Sequence, residues 1–420
     1  MLNHFFYKGL NTYDRKKKNI FLIVRKQPGE IDWILPALNN IKNKVNIITI
    51  FEKEVAIKLL KQNEILYKIF LETTCCYIVN SKYKCFVLRL ALKISNILNL
   101  KKAKIIFKEK IFENYYNIEE VLKNLCSKNI IINKKNILLG MQDFTDNSPW
   151  ILKLKNEIKD LKVISYPHTT KIFSTKKNFS KFKKKKFNNN YFFLSSKNDL
   201  SHFNKKISNQ SLFICGYPKY EKKWLKKINK NSNRNTNFSS KGKRNIFISY
   251  KGFDNKKYIK TNYIKQVQNL FEFAKDTKKY KLIFKFHPNA QEDKVFLKIA
   301  NNYSKEIWYI TKDHLHTAIQ NSFACMSFYN NASLLDFLAS GKVPIQLENI
   351  TFNKNLKSNY TDLKLCLTLR NNLNIQQAID LSAKKRRDST LKNMFDRFDK
   401  NFRKINSIKF TSSKILEIMR

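Results

Sequence analysis

Short, unbroken apolar runs, each stopping at a polar loop, recur along this chain and constrain its fold more than any other feature. In the first half they are Asn19 to Val24, Val45 to Phe51, Asn136 to Leu139, Val163 to Tyr166 and Tyr191 to Ser195. In the second half they are Arg244 to Ser249, Lys281 to Phe286, Ile307 to Ile310, Ala324 to Phe328 and Lys342 to Leu347. A strand-length run without polar alternation suits a parallel strand buried on both faces, because helices cover both sides of such a sheet. Helical spacing fills the intervals: Ile34 to Ile41, Glu54 to Leu71, Val87 to Leu98, Tyr263 to Thr277, His314 to Asn321 and Ser333 to Ser340. Ala103 to Phe107 reads as one more strand. Strand, loop and helix in alternation predict an α/β fold of doubly wound sheets.

At 420 residues and 43% hydrophobic content the chain is long enough for two cores. The Lys/Asn/Ser-rich stretch 222–243 has few apolar residues and reads as a linker. The expected layout is therefore two Rossmann-like domains facing a central cleft. The N-terminal domain covers 1–221, the linker 222–243 and the C-terminal domain 244–395. A basic tail, 396–420, has the helical spacing to pack back across the first domain.

The net charge of +50 invites a nucleic-acid reading, but only eleven of the 82 basic residues are Arg. Lys, Asn, Ile, Phe and Tyr are all encoded mainly by A/T-rich codons, so a biased genome explains their abundance together. Nucleic-acid readers concentrate Arg on one element for bidentate contacts. Here Lys is spread along the chain, with blocks only at Lys183 to Lys186 and near Lys384 to Arg387. No specific nucleic-acid partner is expected. A lysine-coated surface does attract anionic lipid, which suits peripheral contact with the inner face of a membrane. No run of eighteen apolar residues exists and the first apolar stretch is too short for a signal peptide, so the expected location is cytoplasmic. The seven cysteines show neither CxxC spacing nor His partners and read as reduced thiols.

Two segments of the second half carry chemistry. The run Lys281-Leu-Ile-Phe-Lys-Phe-His287-Pro288 ends abruptly, since proline cannot donate to a sheet ladder, and delivers an imidazole to a strand tip. In open α/β sheets that tip is where ligands bind. Lys285 has the same parity as His287 along the strand. Ser327-Phe-Tyr-Asn-Asn331-Ala-Ser333-Leu-Leu-Asp336 reads as a strand end, a polar turn and a helix start that favours an anion. Ser327, Asn331 and Ser333 join His287, Lys285, Ser249 and Lys251 as candidate nucleotide-phosphate contacts. Asn331 also has the chemistry of a turn former, and Ser333 that of a helix cap. Asp336, in the first helical turn, is a candidate for a sugar hydroxyl or for the helix dipole.

These motifs resemble the His-Pro group of GT-B glycosyltransferases: bacterial sialyltransferases, Kdo transferases of capsule synthesis and CDP-glycerol glycerophosphotransferases. Lys285-Phe-His287-Pro288 is similar to their His-Pro motif, and Ser327 to Asp336, with Gly341 and Pro344 beyond, to their Ser/Thr motif. Cys215-Gly216-Tyr-Pro218 is similar to the Gly-x-Pro segment that leads out of the first domain. The resemblance implies a histidine on the donor phosphate and a base in the first domain. It also implies transfer from a CMP- or other nucleotide-activated sugar to a surface-polysaccharide or lipid-linked acceptor. The acidic triplet with which sialyltransferases place their base has no counterpart, which leaves the sugar open. His168, after Tyr166-Pro167, is one candidate base; Asp32 and Glu30, after the first strand, are rivals, and Asp32 is also placed to cap the following helix. Asp143 is a weaker candidate. With no DxD at a strand end, neither a metal nor another cofactor is expected. The alternatives are a CDP-alditol phosphotransferase, a sugar-nucleotide epimerase and a lysine-rich nucleic-acid-binding protein.

Overall fold

Burial on both faces turns the apolar runs into strands. Asn19–Val24 (β1) and Asn46–Phe51 (β2) are buried along their whole length. Cys76–Val79 (β3), Ile137–Met141 (β4), Lys162–Tyr166 (β5), Tyr191–Leu194 (β6) and Leu212–Ile214 (β7) complete the first sheet. The second holds Arg244–Tyr250 (β8), Tyr280–Phe286 (β9), Trp308–Ile310 (β10), Ala324–Phe328 (β11), Pro344–Leu347 (β12) and Leu367–Leu369 (β13). The computed structural model describes residues 13–25, 29–79, 93–94, 97–98, 100, 125–126, 129–141, 149–167, 190–202, 211–232, 242–253, 259–287, 293–328, 331–347, 359–369, 374–387, 391, 394, 397–399 and 406–420.

The strand orders are β3-β2-β1-β4-β5-β6-β7 and β10-β9-β8-β11-β12-β13, with every pair parallel. Each sheet starts at its centre, grows outward to one side, then returns to the centre and grows to the other. The reversal opens a crevice at the strands' carboxyl ends, between β1 and β4 in one sheet and between β8 and β11 in the other. The α/β fold of two Rossmann-like domains stands as expected.

Three edge strands, β3, β7 and β13, have no counterpart among the runs read from the sequence. The 54–71 helix is two helices, Glu54–Gln62 and Glu64–Thr73, because the Asn63 side chain accepts a hydrogen bond from Leu66 N (3.2 Å) and starts a new one. Lys222–Asn231, expected to open the linker, is helical, and its Trp224 and Ile228 are buried in the first core. Spaced four apart, they make one apolar stripe on a lysine-rich helix. The strand read at 103–107 lies outside the described residues.

The tail does return to the first domain. Helix Ser407–Met419 lies against helix Leu35–Ile41, where Ser412 Oγ donates to Ala37 O (3.1 Å), and Ile408, Ile415, Ile418 and Met419 enter the first core. Its first turn also grips the segment joining the domains: Tyr217 N donates to Ser407 Oγ (3.0 Å) and Ile408 N to Glu221 Oε1 (2.7 Å). Gly216 has φ +72°, a conformation open to glycine at little cost, and it turns the chain here from Cys215 in the first core to Tyr217 in the second domain. Replacing Ile415, fully buried, with Ala should lower the unfolding free energy by about 2–5 kcal/mol. Urea denaturation checks this, and an unchanged midpoint would show the tail to be dispensable.

Candidate active site

Parity fixes what the second sheet presents to each side. On one face Ile246, Ile248, Tyr250, Leu282 and Phe284 join one core, while Phe247, Ile283 and Cys325 of the other face join a second core with helices Leu315–Gln320 and Ser333–Ala339. At the carboxyl end that second face turns polar. Lys285 of β9 pairs in register with Ser249 of β8, Ser249 with Ser327 of β11, Ser327 with Gln346 of β12, and Gln346 with Thr368 of β13. A polar row therefore crosses five of the six strands just where the β8/β11 crevice opens. Ser327 and Gln346 are fully buried within it.

Over the crevice the row closes into a network. Asn331 Nδ2 donates to Ser249 Oγ (3.0 Å), Asn331 Oδ1 accepts from Ser333 N (3.2 Å), and the Ser333 and Ser327 hydroxyls lie 3.4 Å apart. The N-cap of this seven-residue helix is Ala332, which has no side-chain cap; Asn331 before it accepts from the first helical N–H, that of Ser333, whose hydroxyl points down to the sheet. Neighbouring His287 is fixed through its backbone, whose N–H donates to Tyr250 O (2.8 Å). Its imidazole is half-buried, and burial, then the Lys251 charge, push its pKa down. A neutral ring at the tip of β9 can donate an N–H to an anion, and an arriving phosphate would oppose the depression. Lys251 is exposed at the end of β8.

Lys285 has a different local role from the expected phosphate contact. Its ammonium donates to the carbonyls of Lys312 and Asp313, tying down the loop after β10. Burial lowers its pKa to about 8 against the opposing Asp313 charge. On the sheet's other face Asp293 ties the next helix to the end of β8. It caps helix Lys294–Ala300 through Val295 N and Phe296 N (3.0 Å each) and accepts from Phe253 N (2.7 Å) and Tyr250 Oη (2.5 Å).

The loop that Lys285 holds leads into His314, and His314 reaches across the cleft. Its Nε2 lies 3.4 Å from Asp32 Oδ1, on the short helix Gly29–Asp32 after β1. Asp32 therefore does not cap helix Leu35–Ile41; its carboxylate faces the other domain. Burial raises the Asp32 pKa, but the hydrogen bond and charge of His314, then Lys219 and His316, outweigh it and hold the group below the usual carboxylate value. Glu30 is buried and accepts from Arg25 N (2.6 Å), closing its own loop. Asp336 is half-buried and does not rest on the helix dipole alone: Lys219, in the short helix Pro218–Tyr220 between the domains, donates to its Oδ1 (3.0 Å). Burial raises the Asp336 pKa and Lys219 opposes it.

The structure thus brings His287, Ser249, Ser327, Asn331 and Ser333 together at one crevice and places Asp32 on the facing domain. Glu30, Lys285 and Asp336 are engaged by the protein itself. His168 and Asp143 lie outside the described residues, as does Pro288. Sequence reading missed His314, His316 and Lys219. The one available signal was His314-Leu-His316 directly after an apolar run, in a chain with six histidines. Among the described residues no three His, Cys, Asp or Glu side chains gather as a metal site.

No protein-family model and no curated protein matches the chain. Solved structures do. UDP-GlcNAc 2-epimerase from Neisseria meningitidis, bound to UDP-GlcNAc, superposes with a TM-score of 0.58 at 10% identity, over 95% of this chain and 100% of that one. S. aureus MnaA, in a co-structure with UDP, gives 0.52 at 12% identity over 95% of each chain. The glycotransferase of kitacinnamycin gives 0.53 at 6% identity, over 96% and 100%. At such identities the likeness is one of fold: the two-domain GT-B architecture shared by glycosyltransferases and UDP-GlcNAc 2-epimerases.

Removing one partner of a buried ion pair strands the other. Lys219→Met should destabilise the protein by about 3–5 kcal/mol at neutral pH. The Asp336 pKa, already raised in the folded state, would rise further, so the folded form would bind a proton more readily than the unfolded chain. The deficit should therefore shrink as pH falls. Denaturation midpoints at several pH values read this out, and a deficit constant with pH would show that Asp336 does not feel Lys219.

Proposed function

We propose that the protein is a metal-independent glycosyltransferase that moves a sugar from a nucleotide-activated donor to a surface-polysaccharide or lipid-linked acceptor. The observation that carries this reading is the Ser249–Asn331–Ser333–Ser327 network at the reversal point of the second sheet, beside His287. Such a crevice is the general ligand position of open α/β sheets, and hydroxyls, an amide and an imidazole are donors suited to phosphate oxygens. The glycosyltransferases and UDP-bound enzymes that share the fold support a nucleotide as its occupant. The resemblance of His287-Pro288 and Ser327–Asp336 to the His-Pro group favours a cytidine nucleotide.

In the transfer, the acceptor hydroxyl gives its proton to a base of the first domain as its oxygen bonds the anomeric carbon. The bond from that carbon to the nucleotide phosphate breaks, and the phosphate keeps the electron pair. His287 and the hydroxyls then stabilise the charge that develops on the leaving group. A lipid-linked acceptor agrees with the lysine excess, which draws the enzyme to anionic membrane. Among the described residues no helix is long and apolar enough to cross one. A second reading, interconversion of a free sugar nucleotide, is favoured by the epimerase bound to UDP-GlcNAc. It predicts turnover of the donor with no acceptor present and no release of nucleotide.

Calorimetric titration with CMP, CDP, UDP and GDP tests the donor site. One of these should bind, and His287→Ala should weaken it by roughly 10- to 100-fold, the value of a hydrogen bond to a charged group. Binding of none, or binding indifferent to His287→Ala, would remove the assignment.

A further inference from the structure

Within the reading of the cleft as a glycosyl-transfer site, on which this inference rests, the pairing of Asp32 with His314 goes further than either residue alone. His314 is the cap residue of helix Leu315–Gln320, and its Nδ1 accepts the backbone N–H of His316 (3.2 Å). A ring nitrogen that accepts from an amide carries no proton, so the proton of the neutral imidazole sits on Nε2, the atom that faces Asp32 Oδ1. The tautomer is set by the second domain and presented to the first. Among the described residues no hydrogen bond engages the other Asp32 oxygen, and the side chain keeps 19% of its surface open, against 7% for His314. One oxygen is thus anchored and the other faces the cleft. Glu30, the neighbouring carboxylate, is closed off by Arg25 N.

We propose that Asp32 is the base that takes the acceptor proton, and that His314 of the donor domain is its positioning residue, so the base is in place only when the two domains meet. The proton passes from the acceptor hydroxyl to Asp32 Oδ2 while His314 keeps its own. The acceptor oxygen bonds the anomeric carbon and the nucleotide leaves with the electron pair. The 3.4 Å separation is long for a hydrogen bond, as catalytic contacts are before substrate arrives. The ionisable groups around Asp32 are His314, His316, Lys219 and the Tyr220 phenol, with Asp336 beyond Lys219. His314, His316 and Lys219 favour the ionised carboxylate, so losing His314 must make Asp32 easier to protonate.

The test is the pH profile of nucleotide release from the donor identified by titration, alongside nucleotide affinity, for the wild-type protein, Asp32→Asn, His314→Ala and His314→Gln. Asp32→Asn should lose roughly 10²–10⁴-fold in kcat, the usual contribution of a general base. His314→Ala should retain nucleotide affinity and lose rate. Its acidic limb should move to higher pH, and His314→Gln, which still offers a donor, should move it part of the way back. Retained affinity with an unshifted limb in His314→Ala, or a wild-type rate in Asp32→Asn, overturns the pairing while leaving the nucleotide site intact. A wild-type protein that binds no nucleotide overturns the transferase reading, and this proposal with it.

Discussion

The second sheet offers a ligand a single crevice at its reversal point, because only between β8 and β11 do the connections leave toward opposite sides. Burial of both faces forces the strand interiors to be apolar, and the chain can change to Lys, Ser, Ser, Gln and Thr only in the last turn of the pleat, where the crevice begins. The polar row is thus a consequence of topology as much as of chemistry. Because the strands are parallel and in register, residues far apart in sequence arrive side by side, as Ser249 and Ser327 do.

The two domains are coupled by charge at a junction that water barely enters. Lys219 lies between Asp336 of one domain and Asp32 of the other, and the Tyr220 and Tyr360 phenols near Asp336 are pushed up first by burial and then by its charge. Buried ion pairs contribute little net stability but are costly to break, so such a cluster specifies one arrangement of the domains more than it strengthens either. The tail acts in the same direction: Ser407 and Glu221 tie the start of the last helix to the connecting segment. Lys18 and Lys162 donate to the carbonyls of Met419 and Ile418 at the end of that helix. Lys219 and Lys285 are half-buried and each holds an acceptor.

Much of the fold was legible in the sequence because a strand buried on both faces leaves an unambiguous signature. The unbroken runs at Asn19–Val24, Arg244–Tyr250 and Ala324–Phe328 could be little else, and the order of runs and helices implied two doubly wound sheets. The second-domain half of the candidate site was legible for the same reason, since His287 and Ser327 mark strand tips. The edge strands β3, β7 and β13 were not legible. The helix at Lys222–Asn231 was hidden by its lysines, since it gives the core only Trp224, Ile228 and the partly buried Leu225.

What the sequence by itself determined is the local element and its polarity: which residues end a strand, which open a helix, and hence which stand at the rim of a cleft. Tertiary structure alone decided which rim residues meet. Lys285 was expected at a phosphate and instead holds a loop, because the carbonyls of Lys312 and Asp313 lie within its reach. Asp32 could have been a helix cap until the second domain placed a histidine 282 positions later in the chain against it. Local spacing encodes contacts a few residues apart, but a pairing between two domains depends on how both cores pack and how the chain turns at Gly216, and neither leaves a trace in the residues that finally touch.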